Sequence, residues 1–348
     1  MAKKETIVEI AGKQLKLSNL DKVLYPAVGF TKGQVIDYFV RIAPVLLPHL
    51  KDRPLTMKRY PEGVDGMFFY EKNCPKHRPD WVQTAKVWSH GRSDYMQYCM
   101  AQDLPTLVWA ANLADLELHT SLSRAEKIEQ PTMMVFDLDP GPPADIVLCC
   151  QVGFWLKEIF DRFKLQAFPK TSGSKGLQIY VPLNTPVTYD QTKGFSRALA
   201  RLLEEQHPDL VVADMKKALR VGKVFVDWSQ NDEHKTTINV YSLRAKERPT
   251  VSTPVSWDEV EQCLKKKDAK LLVFDAQQVL SRVEKTGDLF ALVQTLKQRL
   301  PDVGELSEEA APKSGGRAQS SSKEPKPRAT RKKAARTSIQ KARVKRAG

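Results

Sequence analysis

The sequence predicts an α+β fold with mixed or antiparallel sheets. Three observations carry that expectation: helical stretches that open on capping residues, short β-type runs that end in turns, and an alternation of the two without the strict βαβ rhythm of a parallel sheet. Thr31-Lys-Gly-Gln34 is a capping-box signature, and Val35, Ile36, Phe39, Val40, Ala43 and Leu47 follow at helical spacing. Pro44 is expected to kink that helix or end it early. A second helix is predicted after Asp145 through Ile146, Cys150, Phe154, Ile159 and Phe163. A third follows Thr188-Tyr-Asp-Gln191 through Phe195, Leu199, Leu202 and Leu203, and Ser256-Trp-Asp-Glu259 opens a fourth. Strands are predicted at 133–137, 177–181, 224–228 and 237–241.

A chain of 348 residues that is 41% hydrophobic and 8% aromatic is not collagen-like, and most of it is not disordered. No apolar run approaches the roughly 18 residues of a membrane span. The opening Met1-Ala-Lys-Lys-Glu-Thr lacks the apolar stretch of a secretory signal, so the protein is expected to be soluble and intracellular. The net charge of +14 is unevenly spread. Residues 311–348 carry 13 Lys and Arg against the single acid Glu324, which leaves 42 basic and 40 acidic residues in the rest. One folded unit over 1–305 and a disordered basic tail over 306–348 are expected, the tail being drawn to a polyanion in a salt-sensitive way.

The five cysteines are an odd number without paired spacing, and reduced thiols are expected. Cys74, His77, His90 and Cys99 are zinc-type ligands within one segment, at a spacing that matches no established finger. Ordinary loop residues are the alternative.

Val135-Phe-Asp-Leu-Asp-Pro-Gly141 delivers Asp137 and Asp139 to one face of a strand that Pro140-Gly141 then ends. Clustered carboxylates of this kind suit hard divalent cations and two-metal phosphoryl transfer; a strand end with an acidic turn is the plainer alternative. Asp227, closing Lys223-Val-Phe-Val-Asp227, is a candidate third acid. Three converging carboxylates repel, so convergence makes sense only around cations. Lys170-Thr-Ser-Gly-Ser-Lys-Gly-Leu-Gln-Ile-Tyr180 combines Gly173 and Gly176 with the hydroxyls of Ser172 and Ser174 and the charge of Lys175, a nest for a triphosphate that is not a Walker loop.

Taken in order and spacing, Asp137-Leu-Asp-Pro-Gly, Ser172-Gly-Ser-Lys-Gly, Phe225-Val-Asp-Trp-Ser-Gln-Asn and Tyr241-Ser-Leu-Arg-Ala-Lys resemble the archaeo-eukaryotic primase-polymerase module of bacterial ligase D and its stand-alone relatives of the Prim-PolC type. Leu17-Ser-Asn-Leu-Asp-Lys-Val-Leu-Tyr-Pro26 and Gly66-Met-Phe-Phe-Tyr-Glu-Lys72 extend the resemblance, which runs from about residue 6 to about 300. It implies a two-lobed primase-polymerase fold with flanking helices and a DNA-dependent polymerase that fills short gaps bearing a 5′-phosphate, ribonucleotides preferred, in break or excision repair.

By position, the resemblance implies that Asp137, Asp139 and Asp227 hold two divalent cations, manganese in preference to magnesium. Ser172, Ser174, Lys175, Gln178, His119 and Arg244 would meet the NTP or dNTP. Asn19, Lys22 and Lys32 would receive the downstream 5′-phosphate, Phe68 and Phe69 would stack the templating base and its neighbour, and Lys217 and Arg220, with Lys216 and Lys223, would face the DNA. Plainer readings exist: Lys22 and Lys32 as solvated charges, His119 as a satisfied buried imidazole, and only one of the adjacent Phe68 and Phe69 facing solvent. Gln178 stands where many ligase D modules have His; it can donate a neutral hydrogen bond but cannot titrate. The K-x-D-G adenylation motif of a ligase does not occur in the sequence, so a separate ATP-dependent DNA ligase, and Ku, are expected partners in the bacterial cytoplasm at the nucleoid. The rival expectation is a non-catalytic gap- or end-binding module that recruits a ligase.

Overall fold

The computed structural model describes residues 5–89 and 93–309. Two short antiparallel pairs come first, β1 (Glu5–Ile10) with β2 (Lys13–Ser18) and β3 (Val23–Tyr25) with β4 (Phe30–Thr31). The helix α1 (Lys32–Leu50) starts at the expected capping box of Thr31 and Gln34. It runs through Pro44 and Pro48, so the early end, one of the two effects expected of Pro44, does not occur. Both prolines lie on the exposed side, where the carbonyls they free can meet water, while Ile42, Leu46 and Leu50 bury the opposite stripe.

The first layer is a six-stranded sheet. Its strands β5 (Leu55–Arg59), β6 (Phe69–Glu71), β7 (Thr84–Ser89), β8 (Asp94–Cys99) and, after α2 (Leu104–Asn112), β9 (Asp115–Thr120) are joined by a late strand at Thr237–Ile238. The second is a five-stranded sheet ordered β11-β12-β10-β14-β13, from β10 (Met133–Pro140), β11 (Phe168–Thr171), β12 (Leu177–Pro182), β13 (Val211–Val212) and β14 (Val224–Asp227). It is antiparallel except for the parallel pair β13·β14. The Thr237–Ile238 strand is β15; it is shorter than expected because the chain turns at Tyr241, which takes a positive φ of 63°. Strand β14 stops at Asp227, whose side chain caps the following turn.

Helices α3 (Ile146–Arg162), capped by Asp145, and α4 (Tyr189–Gln206), with its Thr188–Gln191 capping box, cover one face of the second sheet. Helices α5 (Trp257–Lys266) and α6 (Ala276–Thr286) follow, each with a capping box. The short helix α7 (Val303–Glu309) crosses the expected boundary at 305/306 and buries Leu306; the rest of the expected tail, 310–348, lies outside the described residues. There are two hydrophobic cores, one around α1, α2 and the six-stranded sheet, the other between the five-stranded sheet and α3 and α4. No helix among the described residues is long and apolar enough to cross a membrane.

Cys74 and Cys99 form a disulfide, which corrects the expectation of reduced thiols for this pair and removes both as zinc ligands. Spacing along the chain hid the pair, because residues 25 apart meet only once β8 folds back beside Cys74. His77 is exposed, and His90 lies outside the described residues. Cys149, Cys150 and Cys263 are free and buried.

Candidate active site

Side chains along β10 alternate between two surroundings. Met134, Phe136 and Leu138 enter the core beneath α3 and α4, whereas Met133 and Val135 enter the other core. Asp137 and Asp139 continue this second face past its apolar part. In register, Asp137 is opposite Gln178 on β12 and opposite Asp227 on β14, and Gln178 is opposite Lys170 on β11. One row therefore crosses four strands on a single face: Lys170, Gln178, Asp137, Asp227. Asp227, separate from the other acids in sequence, reaches them through this pairing.

Burial first, and the facing Asp227 second, push the Asp137 carboxyl up to about 6. The Gln178 side chain, paired with it across the strands, works in the opposite direction. Strand register gathers the three acids, but side-chain orientation does not close them into one shell: among the described residues no group of three or more His, Cys, Asp or Glu is arranged to hold a metal. Like charges separate by taking protein partners. Asp227 accepts hydrogen bonds from the Ser229 amide at 3.0 Å and Gln230 Nε2 at 2.8 Å, and Asp139 stands 3.6 Å from Arg220. The donor chemistry fits a hard divalent cation, since the ligands are carboxylate oxygens on one face whose mutual repulsion a cation would relieve.

A cleft of about 270 Å³ opens over this row. Besides Asp137 and Asp139 it is lined by Ser172, Ser174, Lys175, Gln178, His119 and Arg244, so the six residues expected to meet a nucleotide share one cavity with two of the acids. The Ser/Gly turn is built by its first serine: Ser172 Oγ accepts from the amides of Ser174 at 3.2 Å and Gly176 at 3.1 Å. Gly176 is required there, because a Cβ would lie 2.1 Å from the Leu138 carbonyl oxygen. Arg244 donates to the Ser172 carbonyl and Thr250 to that of Gly173, tying the turn from the far side. Ser174 and Lys175 are left exposed.

The opposite wall is organised by Glu117, which the sequence reading missed. It is buried, and its oxygens lie 3.3 Å from Arg244 Nε, 3.3 Å from Lys58 Nζ and 3.2 Å from His119 Nε2. Burial raises the Glu117 carboxyl, but the His119 hydrogen bond and the Arg244 and Lys58 charges outweigh it and hold the group well below the usual range. Burial lowers His119 despite that partner. The signal for Glu117 was its two-residue offset from His119 on one strand face; nothing in the sequence showed that Lys58 and Arg244 would meet it.

Asn19 takes a positive φ of 54° in the turn after β2, and its carbonyl accepts the Lys22 amide. Lys22 pairs with Glu62 at 2.8 Å, whereas Lys32 is buried at the start of α1 and donates to the Ser18 carbonyl at 2.7 Å. Burial, then the charges of Lys22 and Arg59, lower Lys32 to about 8. Lys32 is thus not a solvated charge; it sits in a cationic spot that an anion would stabilise.

Both Phe68 and Phe69 are exposed, at 51% and 43%, so the expectation that one packs inward fails. Phe68 precedes the short strand β6, which pairs only with β5, so strand alternation does not govern it. The Phe68 ring stacks on Tyr60 with centroids 5.3 Å apart, and Lys58 Nζ lies 4.5 Å from its centre. Lys217 is exposed at the start of the short 3-10 helix Lys217–Arg220 that precedes β14. Arg220 lies over the Phe225 ring at 3.7 Å and next to Asp139, closer to the acids than a peripheral DNA contact requires.

Residues 31–290 match the family model for the LigD primase-polymerase domain. The chain is 41% identical over 281 residues to the multifunctional non-homologous end joining protein LigD of Mycolicibacterium smegmatis, covering 80% of this chain and 36% of that protein. With the bifunctional LigD of Bacillus subtilis it is 33% identical over 275 residues, 79% of this chain and 43% of that one. The chain thus spans less than half the length of these relatives. Among solved structures it is similar to the polymerase domain from Mycobacterium tuberculosis ligase D in complex with DNA, with a TM-score of 0.75 and 39% identity over 82% of this chain and 99% of that one.

Proposed function

The chain belongs to the LigD primase-polymerase family, and from that premise we propose that it is a template-directed nucleotidyltransferase of DNA break repair. It would fill short gaps that carry a downstream 5′-phosphate, with ribonucleotides preferred. The observation that carries this reading is the single cleft in which Asp137 and Asp139 stand beside the Ser172–Gly176 turn, Arg244 and His119. The similar structure, a polymerase domain in complex with DNA, supports DNA as the partner of this cleft. A separate ligase and Ku are proposed to act on the same break.

In the proposed reaction a primer 3′-hydroxyl attacks the α-phosphorus of a bound nucleoside triphosphate and pyrophosphate leaves. Asp137, Asp139 and Asp227 would hold two divalent cations, manganese or magnesium, which supply Lewis-acid stabilisation of the attacking and leaving oxygens. Lys175, exposed on the turn, neutralises charge on the triphosphate. Arg244, fixed by Glu117 on one side and the Ser172 carbonyl on the other, adds a second cation at a set position. Ser172 keeps the turn in shape. Gln178 stands opposite Asp137 in register and cannot exchange a proton, which leaves its role as positioning. Lys32 and Lys22 would receive the 5′-phosphate, while Phe68 and Phe69 offer faces to unpaired bases.

Extension of a primer across a one-nucleotide gap tests this reading, with NTPs or dNTPs, under manganese, with and without the downstream 5′-phosphate. Faster extension with NTPs on the phosphorylated gap is expected. Binding without any extension would replace the enzyme with a gap-binding module.

A further inference from the structure

We propose that Lys170 is a positioning residue for Asp137, acting through the side-chain amide of Gln178. The inference deepens the nucleotidyl-transfer reading and rests on it for its catalytic consequence. Lys170 has no exposed surface, and among the described residues no carboxylate lies in direct contact with it. Its ammonium donates to Gln178 Oε1 at 2.5 Å and to Ser252 Oγ at 2.6 Å, and lies 5.3 Å from the centre of the Tyr180 ring. The Ser252 hydroxyl itself donates to the Thr171 carbonyl at 3.1 Å, so its oxygen remains free to accept from Lys170.

A glutamine amide has one accepting end and one donating end, and which end faces a neighbour is set by the partners on each side. Lys170 offers only donors. With Oε1 held on Lys170, the NH₂ end of Gln178 is turned to the other side, where Asp137 stands directly across the strand pair. Without Lys170 the amide could flip and turn its oxygen, rather than its donating end, toward the paired carboxylate. The register of β11, β12 and β10 puts the three residues in line, so the effect passes along one row of the sheet. A glutamine whose donating end is fixed by a buried lysine is a neutral device for holding Asp137 in one orientation.

A four-protein cycle tests this with the full chain: unmutated, Lys170→Met, Gln178→Leu and the double variant. Two readouts are taken, the primer-extension rate under manganese and the ¹³C signal of the Asp137 side-chain carboxyl without divalent cations. Each single variant is expected to lose about tenfold or more in rate, and the double variant no more than the worse single. Lys170→Met is expected to move the Asp137 signal in the Gln178 protein and to leave it in place in the Gln178→Leu protein. Rate losses that multiply, or a carboxyl signal that moves equally in both backgrounds, would overturn the proposal. If the unmutated protein extends no primer, the nucleotidyl-transfer reading fails, while the carboxyl signal still decides the role of Lys170. Should Lys170→Met not fold, Lys170→Gln, which keeps a polar side chain at the buried position but no longer offers donors alone, takes its place in the same cycle with the same outcomes.

Discussion

Asp137 and Asp227 are a register pair on adjacent antiparallel strands, two carboxylates facing the same side of the sheet. Directly opposed like charges destabilise a strand pair, and here the repulsion contributes to the raised Asp137 carboxyl. Asp137→Asn removes one charge and keeps the shape. In chelator its melting temperature is expected to equal or exceed that of the unmutated protein, as measured by calorimetry. A lower value would mean that the pair supports the fold rather than a site.

The depressed ammonium of Lys32 is expected to make the proposed 5′-phosphate selection sensitive to pH. Its charged form prevails below about 8 and is lost as pH rises through that value. The preference for a 5′-phosphorylated gap over a 5′-hydroxyl gap is therefore expected to fall between pH 7 and pH 10. A bound phosphate would move the midpoint upward, because it favours the ammonium. In Lys32→Gln the preference is expected to be small and flat with pH. Equilibrium binding by fluorescence anisotropy at constant ionic strength checks both curves.

Glu117 is the shared anchor of Arg244, Lys58 and His119. Glu117→Gln leaves two partly buried cations without their counter-charge, a change that costs at most about the 3–5 kcal/mol of a broken buried pair. Denaturant melts are expected to show a loss of up to that size, and the KM for nucleotide is expected to rise as Arg244 loses its fixed position. Full stability with unchanged KM would contradict the anchoring role.

The helices were legible where capping chemistry and apolar spacing agreed, at Thr31, Asp145, Thr188 and Ser256. The helix does not end early at Pro44 because a proline's effect depends on which side of the helix meets water, and that is a tertiary fact. The common face of Asp137 and Asp139 followed from strand alternation alone. Their meeting with Asp227, and the roles of Glu117 and Lys170, depend on strand order and register between segments far apart in the chain, which no local pattern encodes. The Cys74–Cys99 pair was hidden for the same reason.

The exposed rings of Phe68 and Phe69 separate stability from binding. Neither is buried in a core, so Phe68→Ala and Phe69→Ala are expected to leave the melting temperature almost unchanged. Affinity for a gapped duplex is expected to fall by about 1–3 kcal/mol for each ring that stacks a base. Anisotropy titrations of the two variants, separately and together, measure it.

The most direct test replaces both Asp137 and Asp139 with Asn and follows two quantities on one 5′-phosphorylated gapped substrate: primer extension under manganese and gel-shift binding. Extension is expected to disappear, with at least a thousandfold loss on the order of that seen when essential groups of an enzyme are removed, while binding persists. A double variant that still extends the primer at a rate near that of the unmutated protein would contradict the account.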